Sequence, residues 1–322
     1  MKSLFEGGKR AALFVGAVVG AGFATGQEIR LFFAEDGVAN LVIASLFMAI
    51  CAYAFLELGA LRIRWNPSVL LVTDTAITLS SLAVYAAMIA AAEGVLYELT
   101  GVSNLSILLA VGLLFVSSER IGWISSLNLI AVPLMTAIIV VVGLRGGSGS
   151  GGAVHLLRSF AYGGMNLLFS GALMMKEGER ITRKERLIAS LIAGAVIFLL
   201  LLFMYRSVGG RGEGEMPFLL AARDADMGKL ASVALLLAIL TTMASCAYLV
   251  TDRLTLLFGD RSLVAPAVVL LGILVAQWGF QDIVRTTYPV VSYLGLAASA
   301  LALLLWGISL FRYEKVDKPF DS

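Results

Sequence analysis

Apolar runs long enough to cross a lipid bilayer recur from one end of this chain to the other. Val38 to Leu56 and Leu187 to Tyr205 carry no charged residue, and each approaches the ~20 residues a helix needs to cross ~30 Å of hydrocarbon. Backbone N–H and C=O groups find no water at that depth, so spanning segments must be helices or a closed barrel. Runs such as Leu191 to Phe203 show no alternation of polar and apolar residues, which selects helices. Of the 322 residues 59% are hydrophobic and only 14% charged, which leaves no room for a separate soluble domain.

The sequence predicts ten spans. Five fall at Lys9 to Phe33, Gly37 to Ala60, Asp74 to Tyr97, Leu105 to Ser118 and Trp123 to Leu144. Five more fall at Ala153 to Met175, Leu187 to Val208, Leu230 to Leu257, Leu263 to Phe280 and Ile283 to Phe311. Residues 1–145 and 153–322 thus read as two five-helix halves. Gly146 to Gly152, reading GGSGSGG, joins them as a flexible external linker. Gly209 to Lys229, with Pro217 and the apolar piece Phe218 to Ala222, is either an external helix lying over a pathway or a solvated connector. When alternate loops are assigned to opposite sides, 16 of the 24 Lys and Arg residues fall on the side of the termini, which places both termini in the cytoplasm of a cell-membrane protein. Lys2, Lys9 and Arg10 before an apolar run imitate a signal peptide, but Gln27, Glu28 and Arg30 follow without a small-residue cleavage site, so this segment reads as a retained span.

Several function classes are excluded or weakened. A net charge of +2, with the basic residues in loops, does not suggest a nucleic-acid partner. Cys51 and Cys246 lie in apolar runs and read as packing residues. His155, the only histidine, opens the sixth span and reads as interfacial. With no Ser/His/Asp, His-Glu-x-x-His or P-loop arrangement, the chain is not expected to be an enzyme, nor to need a cofactor. No obvious pore-lining ring argues for a channel.

The first span is interrupted. Gly16, Gly20, Gly22 and Gly26 crowd the run from Gly16 to Gly26, and glycine both weakens a helix and admits positive φ. An unwound turn at mid-membrane exposes amides and carbonyls, which are tolerated only where they line a cavity or bind a ligand. Amides around Gly20, Ala21 and Gly22 would suit a carboxylate. The competing reading is close helix packing through small-xxx-small spacing. A second glycine pair, Gly163-Gly164, flanked by Phe160, Tyr162 and Asn166, lies at the corresponding place in the second half. Two interrupted helices so placed point to an inverted-repeat transporter with a midplane site. Tyr85 and Tyr162 fall at mid-span, where a phenol needs a hydrogen-bonding partner or a substrate.

These residues resemble a family. GAVVGAGFATGQEIRLFF from Gly16 to Phe33 looks like the first helix of bacterial YkvI-type membrane proteins, which belong with the LeuT-fold amino acid–polyamine–organocation transporters. Tyr162-x-x-x-Asn166 is similar to their sixth helix. The resemblance implies an all-α fold of ten helices as a 5+5 inverted repeat, with helices 1 and 6 broken. In sodium-coupled members of that fold an ion sits between a Gly-x-x-Val step and an Ala-x-x-Thr-Ser/Thr step. Here Gly16, Val19, Ala238, Thr241 and Thr242 fit both, and sodium prefers such oxygen ligands. The alternative is that Thr241, Thr242 and Ser245 simply bond to carbonyls of the helices. The fifth span has no lysine to replace the ion.

Among the carboxylates, Glu57 is expected to pair near Arg62 and Arg64, whereas Glu28 and Glu93 offer an alternative, proton-coupled route. The leading expectation is a cation-coupled symporter that takes up a small amino acid or related zwitterion or amine by alternating access. Its substrate would lie among Gly20, Ala21, Gly22, Tyr85, Phe160, Tyr162, Gly163 and Asn166. A non-transporting receptor of the same fold, like germinant-receptor subunits, is the competing class.

Overall fold

The computed structural model describes residues 2–34, 36–62, 67–117, 122–147, 152–209, 214 and 216–316. The centre of the expected linker, most of 210–215, and Arg64, Arg120, Arg211 and Lys318 lie outside the described residues.

The first expected span forms three pieces, α1 (Lys2–Val18), α2 (Ala21–Thr25) and α3 (Gln27–Phe33). The other first-half spans are α4 (Val38–Ala60), α5 (Pro67–Thr100), α6 (Leu105–Ser117) and α7 (Gly122–Arg145). The second half supplies α8 (Leu156–Gly178), α9 (Arg183–Val208), the short α10 (Pro217–Asp224), α11 (Gly228–Phe258), α12 (Arg261–Ala276) and α13 (Phe280–Val316). Among the described residues, α4, α9, α11 and the larger parts of α5 and α13 are long and apolar enough to cross a bilayer unaided.

The helices sort into two groups. Spans 1 and 2 pack with their second-half counterparts, as α1, α4, α8 and α9. Spans 3 and 4 likewise pack with theirs, as α5, α6, α11 and α12, while α7 and α13 touch both groups. Pairing of like-numbered spans is the arrangement a repeated five-helix unit produces.

The interruption of the first span has a local cause. Gly20 is extended (φ −85°, ψ −176°), and Gly26 is left-handed (φ +78°) at the α2 to α3 junction. A side chain at Gly26 would also meet Val208 at 2.8 Å. The Thr25 hydroxyl donates to the Gly22 carbonyl (2.7 Å) and accepts from the Gln27 N–H (3.2 Å), which replaces ladder bonds the breaks remove.

The sixth span is not broken. α8 runs continuously through Gly163 and Gly164, which corrects the expectation of a second interruption. Packing explains the glycines: a Cβ on Gly163 would lie 2.6 Å from the Phe47 ring, and one on Gly164 would lie 2.5 Å from the Leu296 nitrogen of α13. The pair therefore lets α8 approach α4 and α13 closely. Gly59 and Gly178 do the same lower on α4 and α8, where added side chains would run into the Met175 and Leu56 carbonyls.

Glu57 is an ion-pair residue as expected, with Arg186 as its partner (2.9 Å), while Arg62 adopts a left-handed conformation (φ +50°). The ends of the linker are pinned. Asp36 pairs with Ala153, and the Arg206 guanidinium donates to the Gly146 carbonyl (3.3 Å). α10 is a helix, as one of the two readings expected, and its Phe218, Leu219, Ala221 and Ala222 are buried as it packs on α9 and α11 and touches α2. Between α11 and α12, Asp260 accepts from the Ser262 N–H (2.8 Å) and hydroxyl (2.7 Å), which holds its carboxyl below the usual carboxylate range.

Candidate functional site

The break at Val19 and Gly20 opens into a cavity of about 310 Å³ between the two helix groups. α1 and α2 supply Gly16 to Gly22, α3 supplies Glu28, α11 supplies residues between Ala238 and Leu249, and α5, α7, α8 and α13 complete the wall. The lining descends toward the end of the bundle where α1 begins, through Ile77 and Ser81 on α5, Leu249 on α11 and Phe169 on α8.

The opposite end is sealed. Tyr162, fully buried, lies edge-on to Phe32 (5.6 Å) and Phe33 (5.1 Å). Phe160 packs on Phe47 at 5.0 Å. Beyond them, buried Asn40 donates to the Ala153 carbonyl (2.8 Å) and accepts from the His155 N–H (2.8 Å) and the Ser159 hydroxyl (3.2 Å). Asp36, wholly buried, faces His155 and Arg158, each at 3.7 Å, and its carbonyl accepts from the Tyr205 hydroxyl (2.6 Å). The sequence placed His155 at an interface but gave no sign that this cluster would close one end.

Two sequence motifs far apart in the chain meet at the break. The Thr242 hydroxyl accepts a hydrogen bond from the Ala21 N–H at 3.3 Å, and Gly16, Val19, Ala238, Thr241 and Thr242 all line the same cavity. The Thr241 hydroxyl donates to the Ala238 carbonyl (3.0 Å), and the Ser245 hydroxyl to the Thr241 carbonyl (2.7 Å), as the helix-bonding alternative expected. A donating hydroxyl keeps its own oxygen available to a cation.

The substrate residues divide. Gly20, Ala21, Gly22 and Asn166 line the cavity. Tyr85, Phe160, Tyr162 and Gly163 lie outside its lining, because packing claims each of them. Tyr85 is buried against Gly272 of α12, where a Cβ would strike its ring. Asn166 donates through Nδ2 to the Tyr162 carbonyl (3.0 Å). Two of the three amides expected to hold a carboxylate are already paired, Gly20 with the Val18 carbonyl (2.8 Å) and Ala21 with Thr242.

Glu28 and Glu93 are not brought together. Glu93 accepts from the Asn104 N–H (2.5 Å) and from the Ser106 N–H (3.3 Å) and hydroxyl (2.8 Å), so it fastens the turn into α6. Glu28 lines the cavity, 7% exposed, with Oε2 lacking a hydrogen-bond partner. Its carboxyl and the Tyr288 hydroxyl both crowd Gly22, where a Cβ would collide with Oε1 and approach the hydroxyl to 2.7 Å. Sequence reasoning missed Tyr288. The available signal was the phenol beside Pro289 inside the tenth span.

No family model matches the sequence, and no curated protein matches it. The fold does have a solved counterpart. The structure of Mhp1 in an inward-facing conformation superposes with a TM-score of 0.60 at 14% identity, over 91% of this chain and 72% of that one. The chain therefore has the LeuT-type fold of a multi-pass membrane protein.

Proposed function

We propose that this chain is a cation-coupled secondary transporter that moves a small amino acid or related amine by alternating access, with both termini in the cytoplasm. The observation that carries the reading is the meeting of the broken first span with α11 at one cavity. There, the Gly16 to Val19 step and the Ala238 to Thr242 step, which sodium would share, line the same wall and are joined by the Ala21–Thr242 hydrogen bond. The YkvI-type resemblance and the likeness to Mhp1 support the same class. Glu28 alone, without Glu93, would serve the proton-coupled variant of this reading.

The test is uptake of a panel of radiolabelled amino acids and amines into proteoliposomes holding the full chain, with and without an inward sodium gradient. Accumulation that follows the gradient, together with exchange of internal for external substrate, is expected. Binding with neither uptake nor exchange would leave a receptor of the same fold.

A further inference from the structure

Among the described residues lining the cavity, Glu28 is the only charged one, and no Lys, Arg or His joins it. It is 7% exposed and makes no hydrogen bond through Oε2. A carboxylate in such a place must be neutralised by a proton or a cation, since an isolated buried charge is costly. Its neighbour is the Tyr288 hydroxyl, and both face the side of Gly22 that carries no side chain. The missing side chain at Gly22 thus lets the Glu28 and Tyr288 oxygens converge against the break.

The rest of the wall fixes what kind of cation fits. Ile77, Val84, Met135, Met165, Phe169 and Leu249 make a mostly apolar surround, which suits a short hydrocarbon body. A ligand carboxylate finds no basic partner, and two of the three amides at the break are already bonded, to Val18 and Thr242. An ammonium group is therefore matched and a carboxylate is not.

We infer that the cavity selects an organic amine cation without a free carboxylate, its ammonium held by Glu28 and Tyr288 and its apolar body lying toward Met135 and Phe169. The inference rests on the transport reading of the same cavity and narrows its substrate class from amino acids to amines. Ion coupling at the Thr241 and Thr242 side is a separate subsite of that cavity.

Three probes that share one branched hydrocarbon body separate the charges: isoamylamine, leucine and 4-methylpentanoate. Thermal unfolding of the full chain in lipid nanodiscs is followed as each is titrated, because a ligand bound only by the folded form raises the midpoint. Isoamylamine is expected to stabilise the wild type saturably, leucine at least about tenfold more weakly, and 4-methylpentanoate not at all. Glu28→Gln is expected to weaken the isoamylamine response about tenfold or more, and Tyr288→Phe to weaken it less. The proposal is overturned if isoamylamine gives no shift, if leucine or 4-methylpentanoate matches it, or if its response survives Glu28→Gln. The wild-type comparison stands even if a variant does not fold. Exchange of radiolabelled isoamylamine in proteoliposomes keeps the two readings apart. Amine binding without exchange would sink transport and keep the amine subsite, whereas leucine exchange insensitive to Glu28→Gln would do the reverse.

Discussion

The Thr242 hydroxyl on α11 accepts the Ala21 N–H at 3.3 Å, a bond that joins residues 221 positions apart and ties one helix group to the break in the other. The hydroxyl stands in for a carbonyl that a continuous first helix would have offered. Thr242→Val leaves the fully buried Ala21 with an unpaired N–H and is expected to destabilise the fold by about 1–3 kcal/mol. Thr242→Ser should restore most of that loss. Reversible unfolding in mixed micelles measures both, and equal stability of the valine and serine variants would contradict the bond's role.

Glycines in the first and sixth spans are expected to respond differently to substitution. Gly164→Ala forces a methyl onto the α13 backbone at Leu296 and should destabilise by about 1–3 kcal/mol. Gly16→Ala meets nothing within 4 Å and should leave stability within about 0.5 kcal/mol of wild type. Gly22→Ala would press on Glu28 and Tyr288, so its expected signature is lost ligand response. Thermal midpoints with and without ligand distinguish the three.

Asn40 holds the start of the second half against the start of α4 through Ala153, His155 and Ser159. Asn40→Ala should cost about 2–3 kcal/mol, since each lost bond contributes about 1 kcal/mol. Amide hydrogen exchange should rise at residues 153–159 before it rises in α9. Unchanged exchange there would show that the end is closed by the aromatic contacts alone.

At the other end, Arg186 bonds Glu57 (2.9 Å) and also donates to the Ile181 carbonyl (2.6 Å), with both charged side chains nearly buried. Glu57→Gln leaves the guanidinium without a counter-charge and is expected to destabilise by about 3 kcal/mol. Adding Arg186→Met should recover part of the loss. A double-mutant cycle measures the coupling, and additive effects would deny the pair its importance.

The spans were legible because bilayer thickness fixes the length of an apolar helix, and the break at Gly20 was legible because four glycines crowd one short stretch. That Ala238 to Thr242 would lie beside Gly16 and Val19 was implied by the resemblance to sodium-coupled LeuT-fold transporters, and these residues line one cavity. Gly163 and Gly164 misled because a glycine pair permits either unwinding or close packing, and only the neighbours Phe47 and Leu296 decide which. The same limit applies to Tyr85 and Tyr162, which are buried but whose rings face packed helices rather than the cavity. Glu93 looked like a membrane carboxylate, yet its partners lie in the turn at Asn104 and Ser106. No local pattern reports a meeting of Glu28 with Tyr288 across the whole chain.

Ion binding where the broken first span meets α11 is tested most directly by sodium itself. Thermal unfolding of the wild type and of Thr241→Val with Thr242→Val is followed as sodium replaces choline at constant ionic strength. The wild type should be stabilised saturably and the double variant should lose that response. An unchanged sodium response in a folded double variant would contradict the site.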